Sequence, residues 1–549
     1  MIFNILDHQI CECLLLFATS PAARSFDLIM GRRHGKLSKG CQTCRKRKIK
    51  CDEVMPACNQ CQKAGWKCPQ YGDSLERMFQ YSDVRDLERS IHNEPPRSKK
   101  RTSCIISVPL TFKAQLPSVL LSKEISNTIN DRAIDFFFST HIFRDCGPVK
   151  GYYEYLFHYR NDPNINHTLY TTITAVSLAA YAYAFKYSYL LKKATQSFGH
   201  ALRLVNTALS SIEEATKDYT IISVVLFNTF GVLTCQSLDT LIDCDRHISG
   251  ATSMIKLRGT RQMETRHGLQ LFLQMNSILL QSCIWHSFRV PEDLIKLQKH
   301  AANFLDADDP AWKLNRLIVE LTTFRADIKD GILHERSSII RAAIELDIKF
   351  SSLASEMSRS PQWHYDSIPI VSTSSTIFGT YYQVYSDLWV TQIWNHLRTC
   401  RLFIYEEIGK QYTSREGKLI YPIVSMDYHL WFTTLQQTID DVCASLPQYF
   451  NDVSEVRTSS GISGSPNPNF ISSSFSTNVV PHIAGTYFLL WPLLNSGRMT
   501  FSNLQRDWII GRCRVLGDKT GIQQMFTLAD VLEKREMFPV YESCLAKNI

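Results

Sequence analysis

A chain of 549 residues that is 44% hydrophobic and 20% charged has the length and apolar content for a large buried core, which excludes a wholly disordered protein. The net charge of +8 is concentrated: residues 32–50 hold Arg32, Arg33, Lys36, Lys39, Arg45, Lys46, Arg47, Lys48 and Lys50 and no acid, leaving about −1 for everything else. Basicity is therefore a local device, which excludes a chain cationic throughout and aims one short segment at a polyanion.

Near the N-terminus the apolar run Leu14-Leu15-Leu16-Phe17 is short, and no Lys or Arg precedes it before Arg24. The charged n-region of a secretory signal is missing. Residues 1–30 are expected to be a disordered or dispensable extension, with Met30-Gly31-Arg32-Arg33 as the more natural beginning.

Cys41, Cys44, Cys51, Cys58, Cys61 and Cys68 form an unbroken C-x2-C-x6-C-x6-C-x2-C-x6-C array, one half-motif written twice. A doubled ligand set implies two metals. Two tetrahedral Zn²⁺ need eight ligand positions, so two of the six thiolates must bridge. Internal symmetry gives the bridges to the first cysteine of each half, Cys41 and Cys58. Cys44 and Cys51 then complete one metal, and Cys61 and Cys68 the other. Arg45, Lys46, Arg47, Lys48 and Lys50 supply the positive charge that favours thiolates. So small a segment has no room for an apolar core, and metal binding would be its folding energy, about 10–16 kcal/mol for small structural zinc sites. A disulfide framework requires an oxidising compartment. Apart from Cys11 and Cys13, the remaining nine of the 17 cysteines are scattered singly, which suits a reducing nucleus or cytosol.

Residues 72–130 read as a linker. Within 73–92, Leu75, Phe79, Val84, Leu87 and Ile91 alternate with charges and predict a short amphipathic helix, too short for a coiled coil. The stretch Pro95-Pro96-Arg97-Ser98-Lys99-Lys100-Arg101 reads as a nuclear import signal.

From about Ala133 to the end, 131–549, the periodicity is helical with few strand signals. Stretches 168–185 and 219–238 carry no charge and approach membrane-span length, yet Thr172, Thr174, Ser177, Ser223, Asn228, Thr229 and Thr234 interrupt them. They predict helices buried on all sides, with no membrane span. The segment from His247 to Gly259 predicts an amphipathic helix closed by glycine, with Arg258 in its last turn. Residues 457–477, rich in Ser, Gly, Pro and Asn, predict a disordered insertion between helices. There is no P-loop, G-x-G-x-x-G, G-x-S-x-G or H-E-x-x-H, so the sequence supports no catalysis and no enzyme class.

The cysteine segment, from Lys39 to about Tyr71, closely resembles the fungal zinc binuclear cluster (Zn2Cys6) transcription factors. The likeness rests on Cys41-Gln-Thr-Cys44-Arg-Lys-Arg-Lys-Ile-Lys-Cys51-Asp52, Met55-Pro56-Ala57-Cys58-Asn-Gln-Cys61 and Trp66-Lys-Cys68. The resemblance implies two Zn²⁺ on the six cysteines and a helix after Cys44 that enters the major groove of double-stranded promoter DNA. Lys48 would then read a CGG triplet with help from Arg47 and Lys50. A looser likeness over roughly 130–535, carried by the His247–Gly259 segment, Leu490-Trp491-Pro492-Leu493, Arg506-Asp507-Trp508-Ile509 and Gly521-Ile522, implies the helical regulatory domain of that family.

The fold class expected is mostly α, a small Zn2Cys6 module at 31–71 followed by a large all-helical regulatory domain. The function expected is zinc-dependent regulation of RNA polymerase II transcription in the nucleus, with DNA, the transcription machinery and a homodimer partner, and with specialised metabolism as a family habit. An alternative makes the cluster a protein or RNA interaction module on a helical scaffold; RNA modules commonly present aromatics, and 41–68 holds only Trp66. A third reading, compatible with the first, makes the helical domain a receptor for a small-molecule effector.

Overall fold

The computed structural model describes residues 43–44, 47, 51–52, 58–66, 128–143, 153–235, 245–370, 377–412, 426–450 and 483–535. The expected extension at 1–30, the basic stretch at 95–101 and the insertion at 457–477 lie outside them. The chain divides into two units, a small one carrying the cysteine segment and a large one holding every element from Ile129 onward. In the small unit, α1 spans Asn59–Lys63.

The large unit opens with α2 (Ile129–Thr140), whose start is set by a capping box. The Thr128 hydroxyl accepts from the Asp131 N–H, and the Asp131 carboxylate accepts from the Thr128 N–H at 2.9 Å. Two orphan backbone donors are satisfied reciprocally, which places the start ahead of Ala133, where the apolar texture begins.

The two charge-free stretches fold into α3 (His167–Ala184) and α5 (Asp218–Thr234), which pack on each other, with α2 and α4 (Ser188–Leu209) also against α3. Thr171, Thr172 and Thr174 return their hydroxyls to carbonyls four residues back at 2.8 Å, so these three threonines need no partner outside a helix buried nearly all round. Among the described residues no helix is long and apolar enough to cross a membrane.

Helix α6 (Asp245–Arg258) ends at Gly259, φ +64°, where the sequence places a glycine stop. Arg258 in its last turn pairs with Asp218 in the first turn of α5, each charge opposing the partial charge of its own helix end. Helices α7 (Arg266–His286), α8 (Glu292–Ala301), α9 (Pro310–Lys329) and α10 (Arg336–Arg359) follow. An antiparallel hairpin then interrupts the helical order, β1 (Tyr365–Pro369) against β2 (Tyr381–Tyr385), with Tyr365 opposite Tyr385 and Pro369 opposite Tyr381. Its aromatic residues suit a pleated surface, but two five-residue strands fall below what periodicity resolves.

Helix α11 (Leu388–Tyr412) is a second central helix, packed by α9, α10, β2, α12 (Met426–Ser445) and α13 (Leu490–Met499). Pro492 sits in the first turn of α13, where its missing N–H breaks no intrahelical bond. Helix α14 (Asn503–Thr520) closes at Gly521, φ +77°, and α15 (Gln524–Glu533) ends the described fold. A Cβ on Gly521 would meet the Ala184 backbone nitrogen at 2.8 Å, so glycine brings the end of α14 against the end of α3.

His141, fully buried after α2, shares a 2.7 Å hydrogen bond with the Tyr487 hydroxyl. Burial pushes its imidazole from the ordinary 6.5 down to about 3. A folded-state value below the unfolded one means the stabilisation is complete above pH 6.5 and is lost as pH falls towards 3. Urea denaturation is expected to show about 1.4 kcal/mol lost per pH unit from this group on acidification, and His141→Phe to remove that slope. An unchanged slope in the variant would contradict the assignment.

Candidate metal centre and nucleic-acid interface

Cys58 is the N-cap of α1, with extended backbone at φ −67° and ψ 145°, and its sulfur accepts the Cys61 N–H at 3.4 Å. A cap residue must leave the helix while offering an acceptor, and here the acceptor is a thiol. Burial pushes the Cys58 thiol up, while the Cys61 N–H and the helix N-terminus favour the thiolate. Asp52, one residue after Cys51, reaches the same helix end: both its carboxylate oxygens lie 3.2 Å from the Asn59 N–H. The end of the first half-motif thus caps the helix of the second.

On the other side, Arg47 N–H donates to the Thr43 carbonyl at 3.2 Å, the bond of a helical turn that begins beside Cys44. The Arg47 guanidinium lies over the Trp66 ring, 3.2 Å from its centroid, while the residue stays exposed. Trp66 is placed by its own N–H to the Cys61 carbonyl at 2.8 Å and by Gly65, whose φ of +66° turns the chain out of α1. A cation over an indole face is attractive and joins the two halves from the side opposite Asp52 in sequence.

Between these two ties lie the sulfurs. Cys44, Cys58 and Cys61 are fully buried, and Cys51 and Trp66 pack against them. The Sγ atoms of Cys44, Cys51 and Cys58 all lie within 4.8 Å of one another, with Cys44 and Cys58 at 3.7 Å. A tetrahedron with Zn–S bonds of about 2.3 Å has edges of about 3.8 Å, so these thiols have the spacing of three corners around one zinc. Cys61, though buried beside them, is not part of that triangle. The donor set and its spacing fit zinc.

Of the residues the sequence singles out, the structure brings together Cys44, Cys51 and Cys58, sets Cys61 on the adjoining helix and shows Arg47 on Trp66. Cys41, Cys68, Arg45, Lys46, Lys48 and Lys50 lie outside the described residues. Two contributions were missed: Asp52 as a helix cap and Trp66 as the seat of Arg47. The first had a signal, an acid just after Cys51 facing a helix that starts at Cys58. The second had none, since stacking depends on the closure of the loop.

The segment is thus a thiolate centre built from two half-motifs that cap and clasp each other. Residues 39–78 match the fungal Zn(2)-Cys(6) binuclear cluster domain, whose cluster binds two zinc ions. Over 75 residues the chain is 36% identical to Sterol uptake control protein 2 of Candida albicans, a stretch covering 14% of this chain and 10% of that protein. Transcriptional regulatory protein moc3 of Schizosaccharomyces pombe is 43% identical over 54 residues, 10% of this chain and 11% of that one. A Zn(2)-C6 fungal-type transcription factor of Gibberella zeae is 54% identical over 37 residues, 7% of this chain and 8% of that one. The chain spans about a tenth of the length of the curated relatives it matches. No solved structure matches it.

Proposed function

We propose that the chain is a zinc-dependent, sequence-specific DNA-binding regulator of RNA polymerase II transcription that acts in the nucleus and recognises CGG-type triplets. The observation that carries this reading is the sulfur triangle of Cys44, Cys51 and Cys58 beside a helical turn from Thr43, with Arg45, Lys46, Lys48 and Lys50 close by in sequence. Cys41, Cys44, Cys51, Cys58, Cys61 and Cys68 would hold the two zinc ions, which would supply the folding energy of the segment. A turn fixed by metal presents cations at constant geometry, which suits both phosphates and the guanine O6 and N7 acceptors of the major groove.

Lys48 reads a base and Arg45 and Lys46 neutralise phosphates. Arg47, held on Trp66, contributes charge from a fixed position. Because that ring face is covered, Trp66 is not a free platform for base stacking, which weighs against an RNA module. The large helical unit serves as the regulatory domain and as the interaction surface for the transcription machinery. Its regulation of a specialised-metabolism pathway by an effector completes the proposal.

Lys48→Ala is expected to lose about 1–3 kcal/mol of discrimination between a CGG site and a scrambled site, with little change on the scrambled one. Competition binding at fixed salt measures this. Equal loss on both sequences would remove Lys48 from base recognition.

A further inference from the structure

The hairpin and helices α10, α11 and α12 line a half-open cleft of ≈180 Å³, whose walls include Ser358, Tyr365, Trp394, Leu397, Arg398 and Asp441. Arg398 is its unusual member. It is 3% exposed, yet no carboxylate lies within salt-bridge distance of it among the described residues. Its neighbour Arg401, by contrast, grips Asp347 through both Nε and Nη2, at 2.7 and 3.0 Å. Arg398 instead donates to neutral oxygens: Nη1 to the Tyr385 hydroxyl at 2.7 Å and Asn395 Oδ1 at 3.0 Å, and Nη2 to Gln383 Oε1 at 2.9 Å. A guanidinium has five N–H groups, so two, the Nε–H and one on Nη2, make no hydrogen bond among the described residues.

The surroundings orient this charge. The rings of Tyr365 and Trp394 each stand 5.5 Å from the guanidinium carbon and meet edge to face at 4.9 Å. Asp441, on the α12 wall, commits Oδ1 to three donors, Tyr381, Gln383 and Gln437. It reaches Arg398 only through Gln383, which bonds both. A buried cation held by neutral acceptors and faced by an aromatic corner lacks the direct partner that such a charge ordinarily has.

We infer that this cleft is a binding site for a small planar monocarboxylate, its carboxylate on Arg398 and its flat body against Tyr365, Trp394 and Leu397. The volume is in keeping with a single small ring, since a cavity of about 150 Å³ holds benzene and the cleft here, open on one side, leaves room for one polar group. The negative charge of Asp441 in the same lining disfavours a ligand with a second anionic group. The inference does not depend on DNA recognition by the small unit, and its test contains no DNA.

The full-length protein is titrated calorimetrically with sodium benzoate and with benzyl alcohol, its neutral counterpart of similar size. Saturable benzoate binding is expected, on the order of tenfold tighter than benzyl alcohol, because a charged acceptor strengthens the guanidinium bonds. Arg398→Met should abolish that preference. Since Arg398 is buried and its loss can unfold the protein, Ser358→Trp provides the second variant: Ser358 is exposed on α10, and an indole there fills the cleft from its rim. Ser358→Trp is expected to keep the wild-type thermal midpoint and lose at least about tenfold in benzoate affinity. Absence of benzoate saturation in the millimolar range, equal affinity for benzyl alcohol, or wild-type benzoate affinity in Ser358→Trp would overturn the assignment.

Discussion

Cys58→Ser is expected to strip zinc from the chain and unfold the small unit. Cys58 is fully buried, shares the sulfur triangle with Cys44 and Cys51, and caps the helix that carries Cys61. It therefore stands where both half-motifs meet. As a bridge it would serve both metals, so its loss removes a ligand from each. With about 10–16 kcal/mol of folding energy residing in a small structural zinc site, no other contact in the segment compensates. Zinc per chain, measured on purified protein, should fall well below two, and specific DNA binding should vanish. Cys51→Ser, at a half-buried position assigned to one metal, should do less. A zinc content of two in Cys58→Ser would refute the bridging role.

Glu406→Gln is expected to destabilise the helical unit by about 3–5 kcal/mol, although no function is assigned to the residue. Glu406 and Glu407 are both buried on α11. Arg498 reaches Glu406 at 3.0 Å, Arg325 reaches Glu407 at 3.0 Å and Glu406 at 3.5 Å, and Lys410 reaches Glu407 at 3.0 Å. Burial alone would push the Glu406 carboxyl up, but Arg498, Lys410 and Arg325 more than offset it and hold it at about 2, from an ordinary 4.5. A depressed value means that the stabilisation is present above pH 4.5 and is lost as pH falls towards 2. Neutralising Glu406 leaves Arg498 buried beside an amide and Arg325 with one carboxylate in place of two. Chemical denaturation at pH 7 measures the loss, and Arg498→Met in the same chain should restore part of it, since removing both partners leaves no uncompensated charge. A loss under about 1 kcal/mol would show that solvent already screens the cluster.

The cysteine segment was legible because its chemistry is written in spacing: six thiols in a doubled motif fix the number of metals before any fold is known. Helices α3 and α5 were legible for a related reason, since a helix whose interior carries no charge has nowhere to go but inside. Helix α11 was not. It carries Arg398, Arg401, Glu406, Glu407 and Lys410, charges that do not mark a buried helix, yet it is central. Three of its charges are balanced by Arg325, Asp347 and Arg498, more than fifty residues away, and no local pattern announces partners so remote. The clasp of Arg47 on Trp66 and the hairpin were hidden likewise, the first by loop closure and the second by the shortness of its strands.

Whether a zinc cluster lets this chain read DNA sequence is decided by selecting binding sites from random double-stranded DNA with the full-length protein, once with zinc and once after chelation. Enrichment of CGG triplets that disappears on chelation is the predicted result, and one triplet or two at fixed spacing distinguishes a monomer from a dimer. Failure to enrich any sequence with zinc present, or enrichment that survives chelation, would contradict the account.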